Sequence, residues 1–148
     1  MGDIEIRIAT AADVDEVHAL EIRAFPAPWR RDFFESELRA SGRFNLIARR
    51  DGELAGYVFA MWFFDEMHVN KIAVEERERR KGIAAELMDK CIRFARANKI
   101  KSISLEVRKS NEGAQDFYRF LDFEASYTRP RYYPDGEAAV VMVKTISG

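Results

Sequence analysis

Two hydrophobic periods alternate along the second half of this chain, and that alternation constrains the fold more than any other feature of the sequence. Apolar residues recur every three or four positions from Ile83 to Phe94, which predicts an amphipathic helix of about four turns. Of the flanking segments, Ser102–Val107 alternates with a period of two and predicts a strand, and Asp65–Val74 is a further strand candidate. A second helix is predicted over Asn111–Leu121. Strands and helices in this order predict an α/β sheet with helices on both faces.

The rest of the chain supplies further strands and two more helices. Thr10–Asp13 has the form of a capping box, with Asp in the place of Glu, and opens a helix that ends before Pro26. The dipeptide Asp51-Gly52 joins two β-rich runs and is a strong hairpin signal. In chain order, these elements are a strand over 3–8, helices over 14–24 and 31–39, strands over 44–50 and 53–63, and a closing hairpin of 123–133 and 138–146. The complete predicted order is β-α-α-β-β-β-α-β-α-β-β.

Composition limits the class of protein. The chain has 148 residues, 47% of them apolar and 33% charged, which suits a single domain over residues 1–148 with a packed core. With 24 basic and 25 acidic residues the net charge is −1, so no global attraction to nucleic acid or to an anionic membrane is expected. The longest apolar run, Tyr57–Phe64, has eight residues, whereas a spanning helix needs about 20. No secretory signal is visible and the single cysteine, Cys91, forms no internal disulfide, so a cytoplasmic location is expected.

The segment Arg79–Ala84, between a predicted strand and a predicted helix, is the most informative candidate site. A helix N-terminus presents unpaired N–H groups and a partial positive charge, which favour a phosphate. Gly82 has no Cβ, so an anion can approach the backbone closely. Four basic residues add full charges: Arg77, Arg79, Arg80 and Lys81. The pattern predicts a phosphate or diphosphate site, with a solvated charged loop as the alternative because Glu75, Glu76 and Glu78 interrupt the basic residues.

Arg79-x-x-Gly82-x-Ala84 resembles the Gln/Arg-x-x-Gly-x-Gly/Ala motif of the GNAT (Gcn5-related) N-acetyltransferases, whose loop amides bind the diphosphate of acetyl-coenzyme A. Asn70–Val74 is similar to the preceding strand of that family, whose splayed end takes the pantetheine arm and the thioester. Asn111-x-x-Ala114-x-x-x-Tyr118 is similar to its later motif. The resemblance implies the GNAT fold, a mixed, mostly antiparallel seven-stranded sheet, with acetyl-coenzyme A as co-substrate and no metal. The coenzyme-binding residues that it implies are Ile72, Ala73, Val74, Arg79, Arg80, Lys81, Gly82, Ile83, Ala84, Ala85, Asn111 and Tyr118.

Three further segments are similar to the ribosomal protein alanine N-acetyltransferases. They are Leu105–Asn111, Phe25–Trp29 with Phe33 behind it, and Arg131–Glu137. That group acetylates the N-terminal alanine of small-subunit ribosomal protein eighteen, so the resemblance implies a protein N-terminus as partner. The chain departs from the group where Asp122 replaces a glycine and where Ala138 replaces an aspartate. Asp tolerates the left-handed backbone of a helix cap, whereas Ala138 removes a carboxylate near the acceptor and weakens the assignment of substrate.

Two residues are implied to carry the chemistry. Amide formation needs a neutral amine, a thioester carbonyl and a protonated leaving thiolate. Glu106 lies in a predicted strand on the face opposite Leu105 and Val107, a position that is also typical of a solvent-facing glutamate. Its match to the family's glutamate implies that it is a general base that acts through water. Tyr118, seven residues after Asn111, is implied to be the general acid, although its position in a helix is also typical of packing.

Aromatic residues are the candidates for the acceptor cleft. They are Tyr132 and Tyr133 before a tight turn, and Phe25 and Trp29 between the two early helices. Each pair either lines the cleft or packs against neighbouring structure. The two histidines, His18 and His68, are far apart in sequence and have no Cys or carboxylate at a ligand spacing, so no metal site is predicted.

The sequence therefore predicts an enzyme that transfers acetyl directly to a protein N-terminal amine in a ternary complex, since no activated nucleophile is evident. By resemblance, the acceptor is the N-terminal alanine of small-subunit ribosomal protein eighteen. One alternative is broader N-terminal, lysine or small-amine acetylation, which Ala138 favours. The other is a non-catalytic acyl-coenzyme-A-binding domain, which would be expected to lose Glu106 or Tyr118 while it kept Gly82; this chain has all three. Neither nucleic acid nor a membrane is expected as a partner, and the oligomeric state is not predicted.

Overall fold

A computed structural model describes residues 2–146 as a seven-stranded sheet with four α-helices. Residues 1, 147 and 148, which the predicted domain includes, lie outside this range. The strands are β1 (Ile4–Ile8), β2 (Arg43–Arg50), β3 (Glu53–Phe63), β4 (Glu66–Val74), β5 (Ser102–Arg108), β6 (Glu124–Arg129) and β7 (Ala139–Thr145). The helices are α1 (Val14–Ala24), α2 (Arg31–Arg39), α3 (Ile83–Ala97) and α4 (Glu112–Phe120). The predicted order of strands and helices is confirmed.

The sheet has the order β1-β2-β3-β4-β5-β7-β6, and only β4 and β5 are parallel neighbours. Helices cover both faces, because α1 and α2 bury Val17 and Phe34 on one face while α3 buries Leu87 and Cys91 on the other. The expected mixed, mostly antiparallel sheet is therefore confirmed. Burial raises the pKa of the Cys91 thiol to about 12, in keeping with its predicted place in the core. No helix within residues 2–146 is long and apolar enough to cross a membrane.

A cleft opens in the sheet where β4 and β5 separate. The two strands pair only through Glu66 with Ser102, Met67 with Ile103 and His68 with Ser104. Beyond this contact β4 continues to Val74 and β5 to Arg108, with no further pairing between them. Two strands that part while each remains paired on its outer side leave a V-shaped opening in the middle of the sheet.

A β-bulge at Asn70 sets the direction of the side chains along β4. Phe59 of β3 pairs with Lys71 and Ala60 pairs with Val69, so Asn70 is the extra residue. Because strand side chains alternate, His68 points away from the α3 face, where Val69 is buried. The bulge then returns Lys71 to the same face as His68, the face covered by α1 and α2.

The closing hairpin differs from its prediction in one respect. The predicted strand over 123–133 ends at Arg129, because Pro130 lacks an N–H for the ladder and Arg131 takes a left-handed φ of 51°. Tyr132 and Tyr133 consequently lie in the loop between β6 and β7. The left-handed backbone expected at Asp122 is confirmed, with a φ of 69°.

Asp13 fastens the start of α1 to the sheet. Its buried carboxylate accepts hydrogen bonds from Arg7 at 2.9 Å, from Arg49 at 2.9 Å and from the Thr10 N–H at 2.8 Å. Burial raises the pKa of Asp13, but these bonds outweigh it and hold the pKa well below the usual range. The capping residue predicted from the sequence therefore also pairs with two arginines of the sheet.

Replacing Asp13 by Asn is expected to lower the free energy of unfolding by about 2 kcal/mol at pH 7, since the buried charge that pairs with Arg7 and Arg49 is removed and Arg49 keeps only its contact with Glu16. A depressed carboxyl pKa stabilises the fold above the unfolded value of about 3.9, so this difference should shrink as the pH falls below about 4. Urea unfolding of both proteins at several pH values measures it. Asp15→Asn, at an exposed site on the same helix, is the control; an equal loss there would contradict the prediction.

Candidate active site

The loop between β4 and α3 ends in a left-handed glycine that is the N-cap of the helix. Gly82 has a φ of 85°, and no neighbouring heavy atom lies within 4 Å of the place that a Cβ would take. No side chain among residues 2–146 caps α3, so its first N–H groups lack an intrahelical or capping partner. Arg80, two residues earlier, is also left-handed, with a φ of 64°. The loop therefore presents open backbone donors that fit a phosphate or diphosphate.

Two of the three acidic residues of this loop, Glu75 and Glu78, are turned inward, which favours an anion site over a solvated charged loop; Glu76 stays exposed. Glu78 is buried and pairs with Arg50 at 3.0 Å. Glu75 is buried and pairs with Arg23 and with Arg77. The expectation that Arg77 adds its charge to the anion site is wrong, because its guanidinium contacts Glu75 and Glu53. Three basic side chains stay exposed beside Gly82: Arg79, Arg80 and Lys81.

Within residues 2–146, the edge of β4 that faces the cleft has no strand partner beyond His68. On the opposite edge Ile72, Ala73 and Val74 pair with β3, so their remaining backbone groups face the opening. An extended backbone of this kind can pair with an amide-containing chain as a further strand would. The pantetheine arm of acetyl-coenzyme A contains such amides, so this edge and the loop before α3 fit the coenzyme together.

A carboxylate and an imidazole meet where β4 and β5 part. Glu106 Oε2 lies 2.5 Å from His68 Nε2, and Glu106 Oε1 lies 3.3 Å from the guanidinium of Arg129. The Nδ1 of His68 lies 2.7 Å from the amide oxygen of Asn70. Because an amide oxygen only accepts, Nδ1 carries a proton and Nε2 is the nitrogen directed at Glu106. The structure thus joins Glu106, which was predicted, with His68, which was not.

The two members of this pair shift one another's pKa. Burial is the largest single effect and lowers the pKa of His68, but the hydrogen bonds to Glu106 and Asn70 and the charge of Glu106 together outweigh burial, so the pKa is raised. Burial likewise raises the pKa of Glu106, but His68 and the charge of Arg129 outweigh it and the pKa is lowered. The pair therefore shares one proton at low pH and, once that proton is lost, can accept one from a substrate.

The four predicted acceptor residues lie on the two sides of the cleft. Tyr132 stacks under Arg129, the same residue that contacts Glu106, with the guanidinium 4.4 Å from the ring centroid. Tyr133 packs against Tyr132 and Arg108. On the β4 side, the Nζ of Lys71 lies 3.9 Å from the ring centroid of Phe25 and 5.0 Å from that of Trp29. Phe25 and Trp29 therefore contact β4 directly through Lys71, and Tyr132 is connected to Glu106 of β5 through Arg129.

Tyr118 and Asn111 have structural roles in addition to the predicted ones. Tyr118 is buried edge to face against Phe117 and Phe123, and burial raises the pKa of its hydroxyl. Among residues 2–146 no group makes a hydrogen bond with that hydroxyl, which leaves its proton available. Asn111 caps α4, with its Oδ1 accepting from the Ala114 N–H at 3.0 Å. Their roles toward the coenzyme stay predictions.

Replacing Gly82 by Val is expected to raise the KM for acetyl-coenzyme A at least roughly tenfold, because a β-branched residue resists a left-handed φ and its side chain would occupy the space open to the anion. Steady-state kinetics with the acceptor saturating measures it. Gly52→Val is a matched control, since Gly52 has a φ of 80°, equally open surroundings and a place in the β2–β3 turn. Both variants should lose similar stability; an equal change in KM would contradict the prediction.

Comparisons with known proteins agree with this geometry. Residues 14–123 match the model of the acetyltransferase (GNAT) family. An N-alpha-acetyltransferase from Sulfurisphaera tokodaii is 31% identical over 95% of this chain and 92% of its own length. The ribosomal protein bS18-alanine N-acetyltransferase from Salmonella typhimurium is 29% identical over 96% of this chain and 97% of its own. The crystal structure of the ribosomal-protein-S18-alanine N-acetyltransferase from Escherichia coli has a TM-score of 0.92 and 28% identity, covering 99% of this chain and 96% of that one.

Proposed function

The chain belongs to the GNAT acetyltransferase family and is an acetyl-coenzyme-A-dependent N-acetyltransferase that acts on proteins, and we propose that its acceptor is a protein N-terminal α-amine. We further propose that this acceptor is the N-terminal alanine of small-subunit ribosomal protein eighteen. The observation that carries the proposal is the His68–Glu106 pair at the point where β4 and β5 part. The similarity to the Salmonella and Escherichia coli enzymes supports the identity of the acceptor.

The pair is suited to take the proton of an α-ammonium group. Such a group has a pKa of about 7.7–8.0, against about 10.4 for a lysine side chain, so a base of modest strength is sufficient. Asn70 holds the His68 ring with Nε2 toward Glu106, and Arg129 holds the other oxygen of the carboxylate. The amine proton passes to this pair directly or through one water.

The rest of the reaction needs only an acid and a firmly placed donor. When bound, acetyl-coenzyme A supplies the thioester whose C–S bond breaks as the new C–N bond forms. Backbone groups of Ile72–Val74 hold the donor arm, and the loop around Gly82 holds its diphosphate. Tyr118 donates its hydroxyl proton to the departing thiolate, since its pKa is raised and it stays protonated at working pH. No acyl-enzyme is required, because the amine attacks directly.

A second candidate is a broader N-terminal acetyltransferase. Ala138 stands where the ribosomal-protein group usually has an aspartate, so the carboxylate of that group is missing here. The backbone of Ala138 still contacts the end of β5, because its carbonyl oxygen accepts a hydrogen bond from the Lys109 N–H at 3.0 Å. The relative from Sulfurisphaera tokodaii is an N-alpha-acetyltransferase, which supports this candidate too. Lysine and small-amine acceptors are weaker candidates, since the pair is a modest base. A ribosomal acceptor would place the protein in the cytoplasm, with neither nucleic acid nor a membrane as a direct partner.

A competition between peptides tests the proposal. Three peptides are offered together with acetyl-coenzyme A and followed by mass spectrometry: the alanine N-terminus of the organism's own small-subunit protein eighteen, an unrelated free N-terminus, and a blocked peptide with an internal lysine. A reaction mixture without the protein measures the uncatalysed background. Acetylation of the first peptide alone supports the ribosomal acceptor, and acetylation of the first two supports the broader N-terminal enzyme. Preference for lysine would overturn both.

A further inference from the structure

Glu21 is a buried carboxylate that the proposed chemistry does not use. We propose that Glu21 and Lys71 form an ion pair that positions the segment Phe25–Trp29 as one wall of the acceptor site. The inference rests on the proposed function, because it assigns that wall to the acceptor. Glu21 and Lys71 are thus positioning residues, which act on the acceptor through Phe25 and Trp29.

Glu21 is held by donors from three parts of the chain. Its side chain is 0% exposed, and it accepts hydrogen bonds from the Tyr57 hydroxyl at 2.5 Å and from the Trp29 N–H at 2.9 Å. Lys71 Nζ lies 3.1 Å from Oε2, the same oxygen that accepts from the Trp29 N–H, whereas the Tyr57 hydroxyl donates to Oε1. A buried carboxylate persists only where such donors offset the loss of water. Glu21 of α1 is therefore bonded to β3, to β4 and to the segment that follows α1.

Lys71 links the same carboxylate to the aromatic wall. The bulge at Asn70 turns Lys71 toward α1, and its ammonium lies over the Phe25 ring at 3.9 Å and beside Trp29 at 5.0 Å. An ammonium that faces two aromatic rings and a carboxylate is attracted to all three. Only 16% of the Lys71 side chain is exposed, so water screens these contacts weakly.

The segment Phe25–Trp29 needs such anchors because it has little regular structure of its own. It belongs to neither α1 nor α2, and Pro26 and Pro28 have no N–H to donate. Lys71 lies on β4 between His68 and Ile72. One strand therefore carries His68 of the proton-accepting pair, Lys71 beside the acceptor wall, and the backbone edge from Ile72 onward that fits the coenzyme. Glu21 and Lys71 thereby set the distance between the acceptor wall and the reacting groups.

Lys71→Met tests the pair, because methionine keeps an unbranched apolar side chain over Phe25 and removes the charge. With a peptide that carries a free alanine N-terminus, the acceptor KM is expected to rise roughly tenfold. The KM for acetyl-coenzyme A should stay close to that of the wild type, whereas the melting temperature should fall because the buried Glu21 carboxylate loses its charged partner. Lys71→Arg should restore most of the acceptor affinity. Lys101→Met, at an exposed lysine near the β3–β4 turn, is the matched control. An unchanged acceptor KM, or an equal rise for both substrates, would overturn the proposal.

Hydrogen exchange tests, without any acceptor present, whether the Glu21–Lys71 pair positions the segment Phe25–Trp29. The Trp29 amide donates to Glu21, so its exchange is expected to quicken at least roughly tenfold in both Glu21→Gln and Lys71→Met. If no N-terminal peptide is acetylated by the wild type, the proposed function fails, and the Trp29 amide still reports whether the pair holds the wall. Should Glu21→Gln fail to fold, Lys71→Met alone carries the test. An unchanged exchange rate in a folded Lys71→Met protein would overturn the proposal.

Discussion

Replacing Glu106 by Gln is expected to lower kcat/KM for an N-terminal alanine peptide by about 10²–10³-fold, within the range that a positioned general base contributes. Gln keeps the size of the side chain but cannot share a proton with His68, so the amine proton loses its acceptor. Steady-state kinetics at saturating acetyl-coenzyme A measures the loss. Glu124→Gln, at an exposed glutamate of β6, is the control and should change little.

The pH dependence provides a second readout of the same pair. In the wild type kcat/KM is expected to rise with pH through the shared pKa of the pair, which lies above the ordinary histidine value of about 6.5 because Glu106 stabilises the imidazolium. Without Glu106 the burial of His68 still lowers its pKa, so the residual activity should begin to rise at a lower pH. An unchanged pH profile in Glu106→Gln would show that the pair does not accept the proton.

Replacing Tyr118 by Phe is expected to lower kcat by about 10²-fold, with little change in either KM, because the hydroxyl acts only as the thiolate leaves. The loss should shrink with an acetyl thioester of a more acidic thiol, since that thiolate leaves without a proton. Kinetics with both donors measures this difference. Tyr127→Phe, at an exposed tyrosine of β6, removes a hydroxyl away from the core and is the control.

A packing role for Tyr118 predicts a different result. The ring is buried between Phe117 and Phe123, and phenylalanine would keep those contacts. If Tyr118 only packs, Tyr118→Phe should retain nearly full kcat with both donors. That outcome would remove the general acid from the proposed mechanism and leave proton transfer to water.

Local patterns predicted most of the fold because each element carries its own signal. The amphipathic period of α3 and the strand alternation of β5 are properties of neighbouring residues, and both elements begin where expected. The end of β6 was missed although Pro130 marks it in the sequence, because the change of direction also needs a left-handed backbone at Arg131, a residue that rarely adopts one. Such a conformation is imposed by the surrounding loop and has no signal in the local sequence.

The candidate site was predicted only in part, because its central contact joins residues far apart in the chain. Glu106 and His68 are separated by 38 positions, and they meet only because β4 and β5 pair in one parallel register. A one-residue shift of that register would turn one of the two side chains to the other face. The inward turn of Glu75 and Glu78 likewise depends on Arg23 and Arg50, which no local pattern connects to the loop.

Neighbouring positions of β5 have different roles, because alternate side chains of a strand point to opposite faces of the sheet. Leu105 and Val107 face the α3 core, whereas Glu106 between them faces the cleft. Mutations at the first two positions act on the amount of folded protein in a cell, and mutations at the third act on what each folded molecule can do. Neighbouring positions of one strand are thus expected to come under selection for different reasons, two of them for the packed scaffold and one for the proposed chemistry.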